Sequence, residues 1–211
     1  MGTLTLIAGT NGAGKTRFFP YFMEHGFLSV VPVNIDGLEK NIDTNRLPHD
    51  YLRYGTALKK EIDRVFTESC FYAIKKRQDF AYECNLRIDQ LKNVALFDEA
   101  GYRLKLIFIW LDNVNLSEQR VQKRVEEGGH FVGKESIHNN YWEGLKNLDD
   151  SYQHWDEIHI FDNSTDVDNN PAQMFTLLLH AKSGKIEYVS KQFFLKEGIM
   201  EKLPKIYNVC L

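Results

Sequence analysis

The 211-residue chain suits one large domain, or one domain carrying a lid and an appendage. It is 43% hydrophobic and 26% charged, which supplies enough apolar material for a real core. A formal net charge of −3 argues against a broad electrostatic surface for nucleic acid, while leaving room for a local basic pocket.

Cys70, Cys84 and Cys210 are odd in number and widely spaced, without metal-ligand or redox-motif spacing. They read as reduced thiols of a cytoplasmic protein. No run reaches the ~18 apolar residues of a membrane span. The first residues show neither the basic region nor the long apolar region of a signal peptide.

In chain order, Thr3 to Ala8 reads as a strand and Gly14 to about Met23 as the helix that follows it. Phe27 to Asn34, rich in valine, reads as the second strand. The polar stretch from Asp36 to Tyr54, with Pro48, reads as a loop with short helical pieces. A helix is expected over Thr56–Lys76, a strand over Phe80–Cys84, and a helix over Arg87–Ala100 stopped by Gly101. Leu104 to Leu111 is almost unbroken apolar sequence, the pattern of a strand buried on both faces of a parallel sheet. Helices follow over Leu116–Glu127 and Lys134–Leu148, then a strand over Ile158–Phe161. Beyond these, Phe175 to His180 and Ile186 to Ser190 flank a glycine turn and predict a hairpin, with a last helix around Phe193–Leu203. Strands alternating with helices give an α/β domain with a parallel sheet flanked by helices, spanning 1–170, and 171–211 is a hairpin and helix appended to it.

Gly9 to Thr16, G-T-N-G-A-G-K-T, fits the phosphate-loop pattern in full and lies between a strand and a helix, as that pattern requires. Glycines let the backbone N–H groups of Asn11, Gly12, Ala13 and Gly14 turn inward on phosphates. Lys15 would reach the β- and γ-phosphates, and Thr16 would offer a hydroxyl to Mg²⁺. The fold is therefore expected to be a P-loop NTPase fold that binds ATP.

Two segments imitate the acidic strand of an ATPase. Val94 to Glu99 matches by letters, yet Leu91, Val94 and Ala95 fall at helical spacing and Gly101 sits where a helix-ending glycine belongs. The run Leu106–Leu111 ends in Asp112, which reads either as a metal-site acid or, with Asn113 beside it, as part of a turn or helix cap. Asp36 closes the second strand, so topology puts it at the open end of the sheet near Lys15; as a residue it reads equally as a loop or cap aspartate. Arg120 and Arg124 are four apart on one helix face, which by charge pattern alone is a solvated face.

Taken in order, several segments resemble the zeta-toxin family of P-loop kinases from Thr3 to about Ser164. They are the phosphate loop, N-I-D at Asn34–Asp36, Y-E-C-N-L-R at Tyr82–Arg87, G-Y-R-L-K-L at Gly101–Leu106, R-V-Q-K-R-V-E-E-G-G-H at Arg120–His130, and D-N-S at Asp162–Ser164. The resemblance implies a kinase with a helical lid at about 120–140. It implies that Asp36 acts as general base, that Glu83 and Asn85 belong to the acceptor pocket, and that Arg124, with Arg120 one turn earlier, contacts the transferred phosphate. It also implies that Asp162 and Asn163 hold the adenine. Zeta toxins phosphorylate a nucleotide-activated amino sugar, so the implied partners are ATP and a small-molecule acceptor, without nucleic acid or membrane; an antitoxin cannot be inferred from one chain. The sequence departs from the family after Gly128-Gly129-His130, where an arginine cluster is replaced by Phe131-Val132-Gly133-Lys134-Glu135. Lys134 or His138 is the available substitute, and lysine is a poorer bidentate clamp. That departure favours an alternative, an ATP-binding or ATP-hydrolysing regulatory module without an acceptor, whereas Asp36 and Glu83 disfavour it.

Overall fold

The longest apolar runs form the centre of the sheet. β1 (Thr3–Ala8) and β4 (Arg103–Trp110) pair in parallel, and Leu4, Leu6, Ile7, Leu106, Ile107, Ile109 and Trp110 are fully buried. The computed structural model describes residues 1–48, 51–165 and 176–211. In it β3 (Phe80–Cys84) flanks β1 on its other side, β2 (Val33–Asn34) is the edge beyond β3, and β5 (Glu157–Asp162) runs parallel to β4. β6 (Thr176–Lys182) and β7 (Lys185–Val189) continue the sheet antiparallel, giving the order β2-β3-β1-β4-β5-β6-β7. β1 thus has β3 on one side and β4 on the other, and the crevice beyond its C-terminal end is where an open α/β sheet binds ligands.

The hairpin therefore extends the main sheet. Ser183 and Gly184 both have positive φ (49° and 74°), as a two-residue hairpin turn requires. Phe175 and the expected boundary near residue 170 lie outside the described residues.

Several elements differ from the sequence expectation, and proline explains most of the differences. The helix after the phosphate loop is a 3₁₀ turn, Thr16–Phe18, followed by the six-residue α1 (Phe19–Glu24). Pro20 has no N–H to give to the Thr16 carbonyl, which instead accepts from Phe19. The second strand is shortened to Val33–Asn34. The amides of Phe27 and Leu28 turn back onto the Phe22 carbonyl, and Pro32 brings no donor to the ladder. The polar stretch beyond it holds 3₁₀ turns at Asp36–Asn41 and Thr44–Arg46, and α2 (Tyr51–Lys76) begins earlier than expected. The last helix is broken into a 3₁₀ turn at Phe193–Leu195, α6 (Ile199–Lys202) and α7 (Pro204–Cys210), with Pro204 opening α7.

α3 (Ile88–Glu99) carries Asp98 and Glu99 in its last turn. α4 (Val114–Glu126) is capped by Asn113, whose side-chain oxygen accepts from the Leu116 amide. α5 (Lys134–Ser151) buries Ile137, Tyr141, Leu145 and Leu148. The tail packs into the same core through Phe193, Ile199, Leu203 and Ile206. Two strands along the sheet from β1, His159 is buried between Phe27 and His180. Burial, with Lys105, His180 and Arg103 nearby, pushes its pKa down to about 3, so the ring is neutral. Among the described residues no helix is long and apolar enough to cross a membrane.

Candidate nucleotide site at the phosphate loop

The loop leaves β1 at Gly9 and is braced from three directions. Ser117 on α4 donates to the Asn11 carbonyl at 2.6 Å and bonds the Thr10 hydroxyl at 3.3 Å. Asn140 on α5 donates to the Asn11 side chain at 2.7 Å, and Asn163, just past β5, donates to the Ala13 carbonyl at 2.9 Å. These side-chain contacts use carbonyls and the Asn11 side chain, and within the loop the Ala13 amide donates to the Thr10 carbonyl at 3.2 Å. They also explain two glycines. A Cβ on Gly12 (φ +72°) would sit 3.0 Å from Arg120 Cβ, and one on Gly14 (φ +91°) would sit 2.6 Å from the Phe18 ring and 2.9 Å from Asn163.

Lys15 folds over the loop and donates to the carbonyls of Gly9 (2.8 Å) and Thr10 (3.1 Å) and to Asn85 Oδ1 (2.9 Å). Asn85 is itself fixed. Its amide donates to Gln90 on α3, and Gly144 on α5 brings its backbone so close that a Cβ would meet the Asn85 carbonyl at 2.6 Å. Thr16 donates its hydroxyl to Glu83 Oε2 at 2.9 Å. The β1–β3 register sets Glu83 opposite Ile7 at the open end of the sheet, which is why a residue 67 positions away meets Thr16.

A cleft of about 520 Å³ opens over this loop, within the range of small-molecule sites. One wall is the phosphate loop and Asn163; another is Asn34, Ile35, Glu83 and Asn85; α4 roofs it with Arg120, Lys123 and Arg124. Among the described residues that line it, five cations, counting Lys15 and Arg17, face two carboxylates, Glu83 and Glu127, so a chain of net negative charge carries a basic pocket suited to polyphosphate. Cys84 also lines the cleft, and burial pushes its thiol up to about 12, which keeps it protonated and inert.

Most of the residues singled out from sequence meet here: Asn11 to Thr16, Glu83, Asn85, Arg120, Arg124 and Asn163 all line the cleft. Asp36 opens the 3₁₀ turn two residues beyond β2, directly after the cleft-lining Ile35. Asp162 is placed elsewhere. It is buried, accepts from Ser164 and pairs with Lys196 of the tail at 2.5 Å, so its carboxylate faces away from the cleft. Asp112 likewise accepts from Trp110 Nε1 and pairs with Lys196 at 3.1 Å, and it does not line the cleft. Asp98 is exposed on α3, 3.5 Å from His154. Arg120 donates to the Thr165 carbonyl and Arg124 to the His130 carbonyl, so the His130 backbone, rather than its ring, is tied to the lid arginine. Lys134 and His138 do not replace the missing arginines, because both are engaged by Glu118 on α4. Lys123 and Glu127 were missed, although they continue the Arg120–Arg124 face at i+3 and i+7. Arg17, Gln90 and Ile35 carried no signal readable without the sheet register.

A parallel sheet with G-x-x-x-x-G-K-T between its central strand and the next helix, closed over by a basic helix, defines a nucleotide-dependent, kinase-like phosphotransferase architecture. The zeta toxin family model matches residues 2–170, and the chain belongs to the zeta toxin family. Among solved structures it is similar to the PezAT chromosomal toxin–antitoxin system of the human pathogen Streptococcus pneumoniae. The identity is 14% and the TM-score 0.62, covering 100% of this chain and 88% of that one. It is also similar to a chain of the AvrRxo1-ORF1:AvrRxo1-ORF2 complex with sulphate ions (14% identity, TM-score 0.64, 93% of this chain) and to the same complex with ATP (13%, 0.59, 96%). In both AvrRxo1 comparisons the chain spans 63% of the matched chain, less than two-thirds of its length. At these identities the likeness is one of fold. No curated protein sequence matches.

Proposed function

We propose that the protein transfers the γ-phosphate of ATP to a hydroxyl of a small-molecule acceptor, with a nucleotide-activated amino sugar as the first acceptor to test. The observation that carries this reading is the continuation of the cleft past the phosphate loop, along Asn34, Ile35, Glu83 and Asn85. A module that only bound or hydrolysed nucleotide would have no use for a second concave wall there. Zeta toxin membership and the ATP-containing AvrRxo1 complex support the choice of nucleotide.

In this reading the N–H groups of Asn11 to Gly14 and the Lys15 ammonium hold the triphosphate, and Arg120, Lys123 and Arg124 stabilise charge on the transferring group from above. Asp36 takes the proton of the acceptor hydroxyl, and Glu83 with Asn85 positions the acceptor. The Thr16 hydroxyl and Glu83 carboxylate, bonded at 2.9 Å, are the hard oxygen donors that Mg²⁺ prefers and are the residues that would hold it. When bound, that ion neutralises phosphate charge. Asn163 acts as a brace on the phosphate loop and Asp162 as an anchor for the tail, in place of an adenine site.

The test is a panel of hydroxyl acceptors incubated with γ-labelled ATP. Label should appear on an acceptor faster than in water. Asp36→Asn should cut transfer by roughly 10²- to 10⁴-fold with nucleotide affinity near normal. The engagement of Lys134 and His138 by Glu118, which leaves the lid without a second cationic cluster, favours a competing regulatory ATPase reading. Label reaching only water, at a rate that Asp36→Asn leaves unchanged, would select that reading.

A further inference from the structure

Two and three strands along the sheet from β1, on β5 and β6, three potential ligands converge on one face. Glu157 and His159 lie two apart on β5, and His180 is the β6 residue paired with His159. Glu157 Oε1 is 3.6 Å from His159 Nε2 and 3.5 Å from His180 Nε2, and one ligand atom from each residue lies within 4.8 Å of the others. Separations near 3.5 Å are long for hydrogen bonds. They are close to the edge of a tetrahedron of zinc ligands at about 2.0–2.1 Å, which is roughly 3.3–3.4 Å.

Nε2 of His180, the nitrogen that faces Glu157 Oε1, is buried without a hydrogen-bond partner; so is Nδ1 of His159, the ring nitrogen on the side away from the cluster's ligand atoms. His159 is 5% exposed, so water does not reach it freely. Buried polar atoms left unpaired are uncommon in folded proteins, and a group that they were built to meet is one explanation. The surroundings are arranged like the outer shell of a metal site. Arg103 holds the other carboxylate oxygen, Oε2, at 2.6 Å, leaving Oε1 turned to the imidazoles. Glu187 on β7 faces His180 Nδ1 at 3.9 Å, the side from which a carboxylate orients a liganding histidine. Lys105, packed over the Phe27 ring, pairs with Oε1 at 3.8 Å, so an ion binding there would have to displace that ammonium.

We propose that His159, His180 and Glu157 form a binding site for a divalent transition ion of the zinc type, which would pin the β6–β7 hairpin to the parallel part of the sheet. Two imidazoles and one carboxylate suit zinc better than magnesium or calcium, which prefer all-oxygen sets. The two rings stack at 4.3 Å and 10°, so binding requires His180, the more exposed of the pair, to turn its nitrogen toward the ion.

The test uses full-length protein stripped with a chelator and titrated with Zn²⁺ against a chromophoric competitor. One equivalent should bind in the wild type, and Lys15→Ala, which alters the phosphate loop, should bind it equally. His180→Gln should lose at least tenfold in affinity, since even outer-shell changes cost about 10- to 100-fold. X-ray absorption of the wild-type zinc complex provides a readout that does not depend on the variant folding, and should show nitrogen and oxygen neighbours including two imidazoles. Absence of binding at one equivalent, a sulfur shell, or wild-type affinity in folded His180→Gln overturns the proposal.

Discussion

Lys15 is the residue on which the nucleotide site turns. In the structure its ammonium bonds, among other contacts, two loop carbonyls and Asn85, so it is already held over the loop before a phosphate arrives. Lys15→Ala removes a charge-assisted contact of about 1.5–3 kcal/mol, equivalent to at least a tenfold loss of ATP affinity, and should leave the fold intact. Calorimetry with ATP checks this, and unchanged affinity would remove the phosphate-loop reading. The loop was legible because eight consecutive residues carry the whole pattern. The Thr16–Glu83 and Asn163–Ala13 bonds were not, because both join residues far apart in sequence whose meeting depends on strand register. Asp162 shows the limit of letter matching. Its neighbour Asn163 points into the cleft, and the strand's alternation sends Asp162 the other way, to Lys196.

Among the elements, α3 and α4 separate resemblance from geometry. Val94–Glu99 spells the acidic strand of an ATPase, but period 3.6 prevails and puts Asp98 on an exposed helical turn. Asp98→Asn should therefore leave Mg·ATP binding within about threefold, measured by the same calorimetry, as exposed substitutions usually do. The packing of α4 on α5 depends on a different contact. Glu118 on α4 holds Lys134 at 3.1 Å and His138, both on α5, and those bonds lower its pKa, the His138 bond first and the Lys134 bond second. A depressed carboxylate contributes its tie above the ordinary carboxylate range and loses it as pH falls through the folded value, so at neutral pH the tie is complete. Glu118→Gln should speed amide exchange across 127–133 at neutral pH, with the sheet unaffected. Equal exchange in variant and wild type would show that the lid is held by other means. Strands and long helices were readable from period. The short second strand and the broken last helix were not, because Pro32 acts through a donor that hydropathy does not see, and the helix breaks where Lys196 is extended and Gly198 left-handed.

At the scale of the whole molecule, the tail is part of the core. Phe193, Ile199, Leu203 and Ile206 are all 5% exposed or less, and burying them contributes about 1.5–3 kcal/mol each. Their sum is of the order of the total stability of a domain, about 5–15 kcal/mol. Asp149 further accepts from the amides of Lys205 and Ile206, and Lys196 joins Asp112 to Asp162. A chain ending at Ser190 should lose its cooperative thermal transition and near-ultraviolet circular dichroism, and retention of both would show the tail to be dispensable. The family match ends at residue 170, so this contribution could not be read from resemblance.

Two consecutive residues, Asp162 and Asn163, grip opposite ends of the chain: one holds Lys196 near the finish, the other the carbonyl of Ala13 near the start. During synthesis the phosphate loop emerges first, yet its brace follows about 150 residues later, and the lysine that pairs with the neighbour of that brace later still. The geometry of the loop is therefore completed only once its distal segment is in place.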